Sequence, residues 1–202
     1  MLDRAAIAIL KPALDAGARA LVRRGIGADA VTLAGFAIGM AAAATIGFGA
    51  TGWGLALLLA SRLADGLDGA VARQTHTTDR GAFLDITLDF LFYASIPLAF
   101  ALADPAANAL PAAVLLAAFI GTGSSFLAFA VMAERRTLAS AAFPRKGFFY
   151  LGGLTEATET LLCFGLMCVW PGKFAWWAYG FASLCALTFV IRIVGGAKAL
   201  SR

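Results

Sequence analysis

The sequence predicts an all-α membrane protein: six transmembrane helices preceded by an amphipathic interfacial helix, with both termini on the cytoplasmic side. Three observations carry that expectation. Hydrophobic residues make up 61% of the 202-residue chain and charged residues only 14%, whereas a soluble domain normally carries about 25% charged residues. The apolar residues come in runs of about 20, the length that crosses a bilayer as a helix. Basic residues gather on alternate connectors, the asymmetry that orients polytopic proteins.

The N-terminal arm comes first. Ile7, Leu10, Leu14, Ala18 and Leu21 recur at spacings of three and four, with Arg4, Lys11, Arg19, Arg23 and Arg24 beside them. That stripe predicts a helix over residues 1–27 lying in the membrane surface. The competing reading is a solvated tail that never docks. The arm has no continuous apolar core, so a cleavable signal peptide is not expected.

Residues 28–202 then read as one six-helix bundle, and the whole chain as one domain. The predicted spans are Val31–Phe48, Trp53–Arg73, Gly81–Ala103, Leu110–Ala133, Phe148–Trp170 and Phe174–Gly195. Gly49 to Gly52, Asp104-Pro105 and Pro171-Gly172-Lys173 form short turns rich in helix breakers on one side. Of the 16 Lys and Arg residues, all but Lys173 and Arg62 fall on the other side, which leaves 14 there. The positive-inside rule places that side, and both termini, in the cytoplasm. Trp53, Trp170, Trp176 and Trp177 fall near the opposite ends, as interface anchors do. The pI near 9.3 therefore reflects topology, and no nucleic-acid partner is expected. Cys163, Cys168 and Cys185 lie inside apolar stretches without a CxxC pair, which points to packing rather than a disulfide or a soft-metal site.

The acidic residues carry the chemistry. A carboxylate inside a membrane helix costs roughly 2.5–3.5 kcal/mol on insertion scales and so needs a compensating role. Six of the 12 acidic residues nevertheless fall within or at the edges of spans: Asp65, Asp68, Asp85, Asp89, Glu156 and Glu159. Asp65 and Asp68, three apart, share one helix face; so do Asp85 and Asp89, four apart. The turn from Gln74 to Arg80 makes the two helices antiparallel neighbours, so the four carboxylates can converge. Left together they would repel, and hard divalent cations, Mg²⁺ or Mn²⁺ rather than zinc, relieve that repulsion. Two such ions would clamp a diphosphate. Gly66, Gly69 and Gly81 leave room for a substrate or a helix beside the acidic face, and Arg73 offers a fixed charge to a phosphate. A purely structural set of interhelical hydrogen bonds fits one buried aspartate better than four. A divalent-cation transporter would need acidic groups on the far side as well, where the turns offer only Asp104.

The residues spell Asp65-x2-Asp68-Gly69-x2-Ala72-Arg73-x7-Gly81-x3-Asp85-x3-Asp89. This resembles the signature of the CDP-alcohol phosphatidyltransferase family, in a bacterial branch whose acceptor the motif does not assign. The resemblance covers nearly the whole chain. The family's interval between the Arg and the second Gly is usually eight or more residues; the residue missing here falls in the turn. The resemblance implies that Asp65, Asp68, Asp85 and Asp89 ligate two Mg²⁺ or Mn²⁺ ions on the diphosphate of CDP-diacylglycerol. It implies that Asp89 is also the general base for the acceptor hydroxyl. Gly69, Arg73 and Gly81 would line the nucleotide and diphosphate site, with Thr32 and Asp29 as secondary candidates. For these two, helix capping, with Asp29 as N-cap, competes. It further implies a homodimer among the membrane lipids of the bacterial inner (cytoplasmic) membrane, with an active site facing the cytoplasm.

The acceptor is less legible. Arg135, Arg136, Arg145, Lys146 and Arg192 match the place where family members bind a phosphorylated acceptor, which favours glycerol 3-phosphate or another phosphorylated polyol. Positive-inside topology alone also accounts for the loop residues. An unphosphorylated acceptor such as serine is the alternative. Glu156 and Glu159, three apart, could bind the acceptor, pair with Arg62 or Arg192, or join helices to one another.

Overall fold

The computed structural model describes residues 2–135 and 155–201. Among these, all regular structure is helical: α1 over Leu2–Arg23, α2 over Ala28–Gly47, α3 over Thr51–Gln74, α4 over Asp79–Ala103, α5 over Pro105–Arg135, α6 over Ala157–Val169 and α7 over Phe174–Leu200. A 3-10 turn over Pro171–Lys173 joins the last two.

Among the described residues, four stretches are long and apolar enough to cross a membrane: Ala28–Gly47, Asp79–Ala103, Pro105–Ala133 and Pro171–Leu200. At 24 residues α3 has the length, but Arg62, Asp65, Asp68 and Arg73 dilute its apolar character. The described part of α6 has 13 residues; the rest of the stretch assigned to that span lies outside the described residues.

Several helix ends differ from expectation for local reasons. α5 starts at Pro105 rather than near Leu110. Proline suits the first helical position, and the Asp104 side chain accepts from Ala107 N at 3.1 Å. α4 starts at Asp79, because Thr78 caps it by accepting from Gly81 N at 3.0 Å. Gly27, not Asp29, is the N-cap of α2. Asp29 falls inside the first turn, where its charge faces the positive end of the helix dipole. The turn after α2 uses Gly49 at φ +82°, a conformation costly for any side chain.

Most of α1 docks. Leu14, Ala18, Leu21 and Val22 pack with Ala28 and Val31 of α2 and with Leu67, Ala70 and Val71 of α3, forming a small core of their own. Ala18 is fully buried, whereas Leu10, from the same stripe, remains 42% exposed. A freely solvated tail does not describe this segment. Lys11 Nζ, 2.6 Å from Asp15, holds that surface carboxyl below its usual range.

The main core joins α2 through α7, with Phe92, Phe100, Phe164 and Phe174 fully buried. Phe100 and Phe174 stack at 4.8 Å. Trp53, Trp170 and Trp176 are exposed at helix ends, but Trp177 packs against the core instead.

α2 packs against both α3 and α4, while the backbones of α3 and α4 stay apart along nearly their whole lengths. Direct antiparallel packing of the two motif helices, expected from their short connector, is therefore not what forms. Gly35 and Gly39 explain the difference. A Cβ at Gly35 would lie 3.0 Å from Ala64 Cβ, and one at Gly39 would lie 2.6 Å from Phe92 Cδ2 and 2.8 Å from Ser61 Oγ. Two glycines four apart let α2 press into the groove. Ser61 Oγ seals it by donating to Gly35 O at 2.8 Å, fully buried. The gap between α3 and α4 is left to side chains.

Candidate active site

That gap holds the acidic residues. α3 contributes Asp65 and Asp68 and α4 contributes Asp85; one carboxylate oxygen from each lies within 4.8 Å of the others. Asp89, the fourth motif aspartate, is engaged differently. Arg62 Nη1 donates to Asp89 Oδ1 at 2.6 Å and to Asp65 Oδ1 at 3.3 Å. The pocket here is lined by Thr32, Gly35, Phe36, Arg62, Asp65, Asp85, Leu88 and Asp89.

Asp68 is only 6% exposed, and its Oδ2 has no hydrogen-bond partner. The Thr32 hydroxyl donates to Ala28 O at 3.1 Å. A buried carboxylate oxygen without a donor, beside two further carboxylates, fits a hard divalent cation. Three oxygens leave further coordination positions for substrate and water.

The other expected residues divide clearly. Gly69 serves Arg73: a Cβ there would meet Arg73 Nη1 at 3.3 Å, so the guanidinium folds back across the glycine. A Cβ at Gly81 would lie 3.2 Å from Asp29 Oδ1, and Asp29 pairs with exposed Arg80 at 3.5 Å. Gly66 faces Leu14 of α1 rather than the pocket. Arg135 is exposed in the last turn of α5, and Arg136, Arg145 and Lys146 lie outside the described residues. Arg192 of α7 reaches α5, donating to Thr122 O at 3.0 Å and lying 5.7 Å from the Phe126 ring centroid.

Glu156 and Glu159 form a capping box at the start of α6. A helix that begins at Ala157 puts Glu156 at the N-cap, where its carboxylate serves backbone amides. Its charge also acts on Arg192. Pairing of either glutamate with Arg62 is not found, since Arg62 is committed to Asp65 and Asp89.

Arg62 itself, with Ser61, Phe92 and Tyr93, was not assigned to the site by sequence reasoning. A signal existed: an arginine within an apolar stretch, one helical turn before Asp65, needs a partner as much as an aspartate does.

The sequence matches the CDP-alcohol phosphatidyltransferase family over residues 26–192. The chain belongs to the CDP-alcohol phosphatidyltransferase family. Among relatives of this family member, the inner membrane protein YnjF of Escherichia coli is 52% identical over 199 residues, covering 97% of this chain and 95% of YnjF. Archaetidylinositol phosphate synthase of Methanothermobacter thermautotrophicus is 51% identical over 65 residues, 32% of this chain and 33% of that protein. The fold matches Mycobacterium tuberculosis phosphatidylinositol phosphate synthase in its crystal structure with CDP-DAG bound: TM-score 0.65 and 23% identity, covering 91% of this chain and 92% of that one. The same enzyme with manganese and citrate gives a TM-score of 0.66 at 23% identity, over 91% of this chain and 88% of the other.

Proposed function

We propose that this family member transfers a phosphatidyl group from CDP-diacylglycerol to a phosphorylated polyol, glycerol 3-phosphate or an inositol phosphate, and releases CMP. The observation that carries the reading is the convergence of Asp65, Asp68 and Asp85, with a buried Asp68 oxygen left without a donor. In this reading Asp65, Asp68 and Asp85 hold Mg²⁺ or Mn²⁺, with Asp89 completing a two-ion set in the loaded complex. Bound there, the cations neutralise the diphosphate and its leaving CMP. Gly69 and Arg73 receive the nucleotide and phosphate side, with Thr32, Gly81 and Asp29 at its margin. Asp89 takes the proton from the acceptor hydroxyl, whose oxygen attacks the phosphorus that bears the diacylglycerol; the bond from that phosphorus to the CMP oxygen breaks.

The phosphorylated acceptor is favoured by Arg192, a half-buried cation fixed by Thr122 O, and by a relative named as an archaetidylinositol phosphate synthase. Arg135, Arg136, Arg145 and Lys146 would assist, as would Glu156 and Glu159. In the membrane we assign α3 and the sequence span Phe148–Trp170 as crossings alongside the four apolar helices, making six. α1 lies in the cytoplasmic interface, both termini face the cytoplasm, and the chain forms a homodimer in the inner membrane.

The test is CMP release by purified protein with CDP-diacylglycerol and Mg²⁺ or Mn²⁺, against glycerol 3-phosphate, inositol phosphate, inositol, serine and glycerol. Metal-dependent release with one phosphorylated acceptor, lost in Asp89→Asn, is the expected result. Release only with serine or another unphosphorylated alcohol overturns the acceptor. Release with none from folded protein overturns the reaction.

A further inference from the structure

We propose that Arg62 is a built-in cation that fills the place of a second divalent ion until substrate arrives. In the substrate-free protein the site would then hold one ion, on Asp65, Asp68 and Asp85. The inference rests on the metal reading above and concerns what the chain itself does with Asp89.

The Arg62 side chain is only 10% exposed. Its Nη1 bonds Asp89 and Asp65, and its Nη2 donates to Ser61 Oγ at 3.2 Å. Beneath it the Phe92 ring centroid lies 3.9 Å from Cζ, with Tyr93 at 5.7 Å. The head group is thus fixed by two carboxylates, a hydroxyl anchored to α2 and two aromatic faces. A guanidinium does not lose its proton in a protein, so this charge is permanent.

Geometry and charge both limit the number of divalent ions. Asp65, Asp68 and Asp85 share a common focus within 4.8 Å, whereas Asp89 Oδ1 is taken by Arg62. Four carboxylates and one guanidinium carry three net negative charges. One divalent ion reduces this to one negative charge, and a second would overshoot to one positive. The two negative charges of a diphosphate diester restore the balance, so a second ion is favoured only with substrate. The diphosphate also gives Arg62 a competing anion, which frees Asp89 beside the acceptor. Arg62 is in this sense a positioning residue, acting through Asp89.

The experiment is a Mn²⁺ titration of the full chain in nanodiscs without nucleotide, with free Mn²⁺ read by electron paramagnetic resonance. One Mn²⁺ per chain is expected for wild type and Arg62→Lys, and two for Arg62→Gln. CDP-diacylglycerol should raise wild type to two. Two ions on substrate-free wild type, or one on folded Arg62→Gln, overturns the proposal. If Arg62→Gln does not fold, Asp89→Asn decides: its single Mn²⁺ should bind as in wild type, whereas a loss of about tenfold or more would make Asp89 a resting ligand and overturn it. Failure of wild type to bind any Mn²⁺ would overturn the metal reading as well, which separates the two failures.

Discussion

Asp68→Asn separates an ion site from a structural hydrogen-bond network, because the two predict opposite signs. Asp68 is buried, its Oδ2 lacks a partner, and carboxylate oxygens of Asp65 and Asp85 lie within 4.8 Å. At that separation two carboxylates repel by about 3 kcal/mol at an effective dielectric constant of about 20. Asparagine keeps the shape, removes the charge and adds an amide that can donate to those neighbours. In chelator the variant should therefore be more stable, by about 1–3 kcal/mol. For a chain of this size that is a rise of roughly 2–12 °C in unfolding temperature, at about 2–4 °C per kcal/mol. With Mn²⁺ at a hundred times its dissociation constant, wild type should gain about 2.7 kcal/mol and the variant little. Thermal unfolding followed by tryptophan fluorescence, with EDTA and with Mn²⁺, reads both numbers. Lower stability in EDTA together with an undiminished Mn²⁺ shift would refute the reasoning and make Asp68 a network residue.

Two further outcomes follow from packing and from Arg192. Gly39→Val places atoms where Phe92 and Ser61 already stand, so overpacking should cost about 1–3 kcal/mol and lower CMP release together with unfolding temperature, read in the same two assays. Arg192→Gln removes the charge proposed for the acceptor phosphate, a bond worth about 1.5–3 kcal/mol; steady-state kinetics should show the acceptor KM rising about 10- to 100-fold while the CDP-diacylglycerol KM stays near wild type.

Much of the site was legible because its logic is local. Asp65 and Asp68 share a face by helical spacing alone, and the four-residue gap between Gln74 and Asp79 brings Asp85 back to them. Arg62 was harder to place. Periodicity puts it on the face of Asp65, but its reach to Asp89 depends on how far α3 and α4 stand apart. That separation is set by Gly35 and Gly39 of a third helix, at positions where sequence shows only small residues in an apolar run. Glu156 stayed open for a similar reason. Its three-residue spacing from Glu159 fits a shared helix face and a capping box equally, and only the helix start at Ala157 distinguishes them.

The burial of Arg62 also bears on how the chain is made. For α3 to cross the bilayer as proposed, Arg62, Asp65 and Asp68 must leave water during insertion, at a cost that a lone helix of this composition meets poorly. α2 emerges from the ribosome immediately before it, and it carries the partners that α3 needs: the Gly35 carbonyl for Ser61 and a glycine groove for close approach. The Arg62–Asp65 pair, one turn apart, already cancels one charge within α3. The α2–α3 hairpin is therefore the natural unit of membrane integration, entering as a pair before α4 brings Asp89 to Arg62.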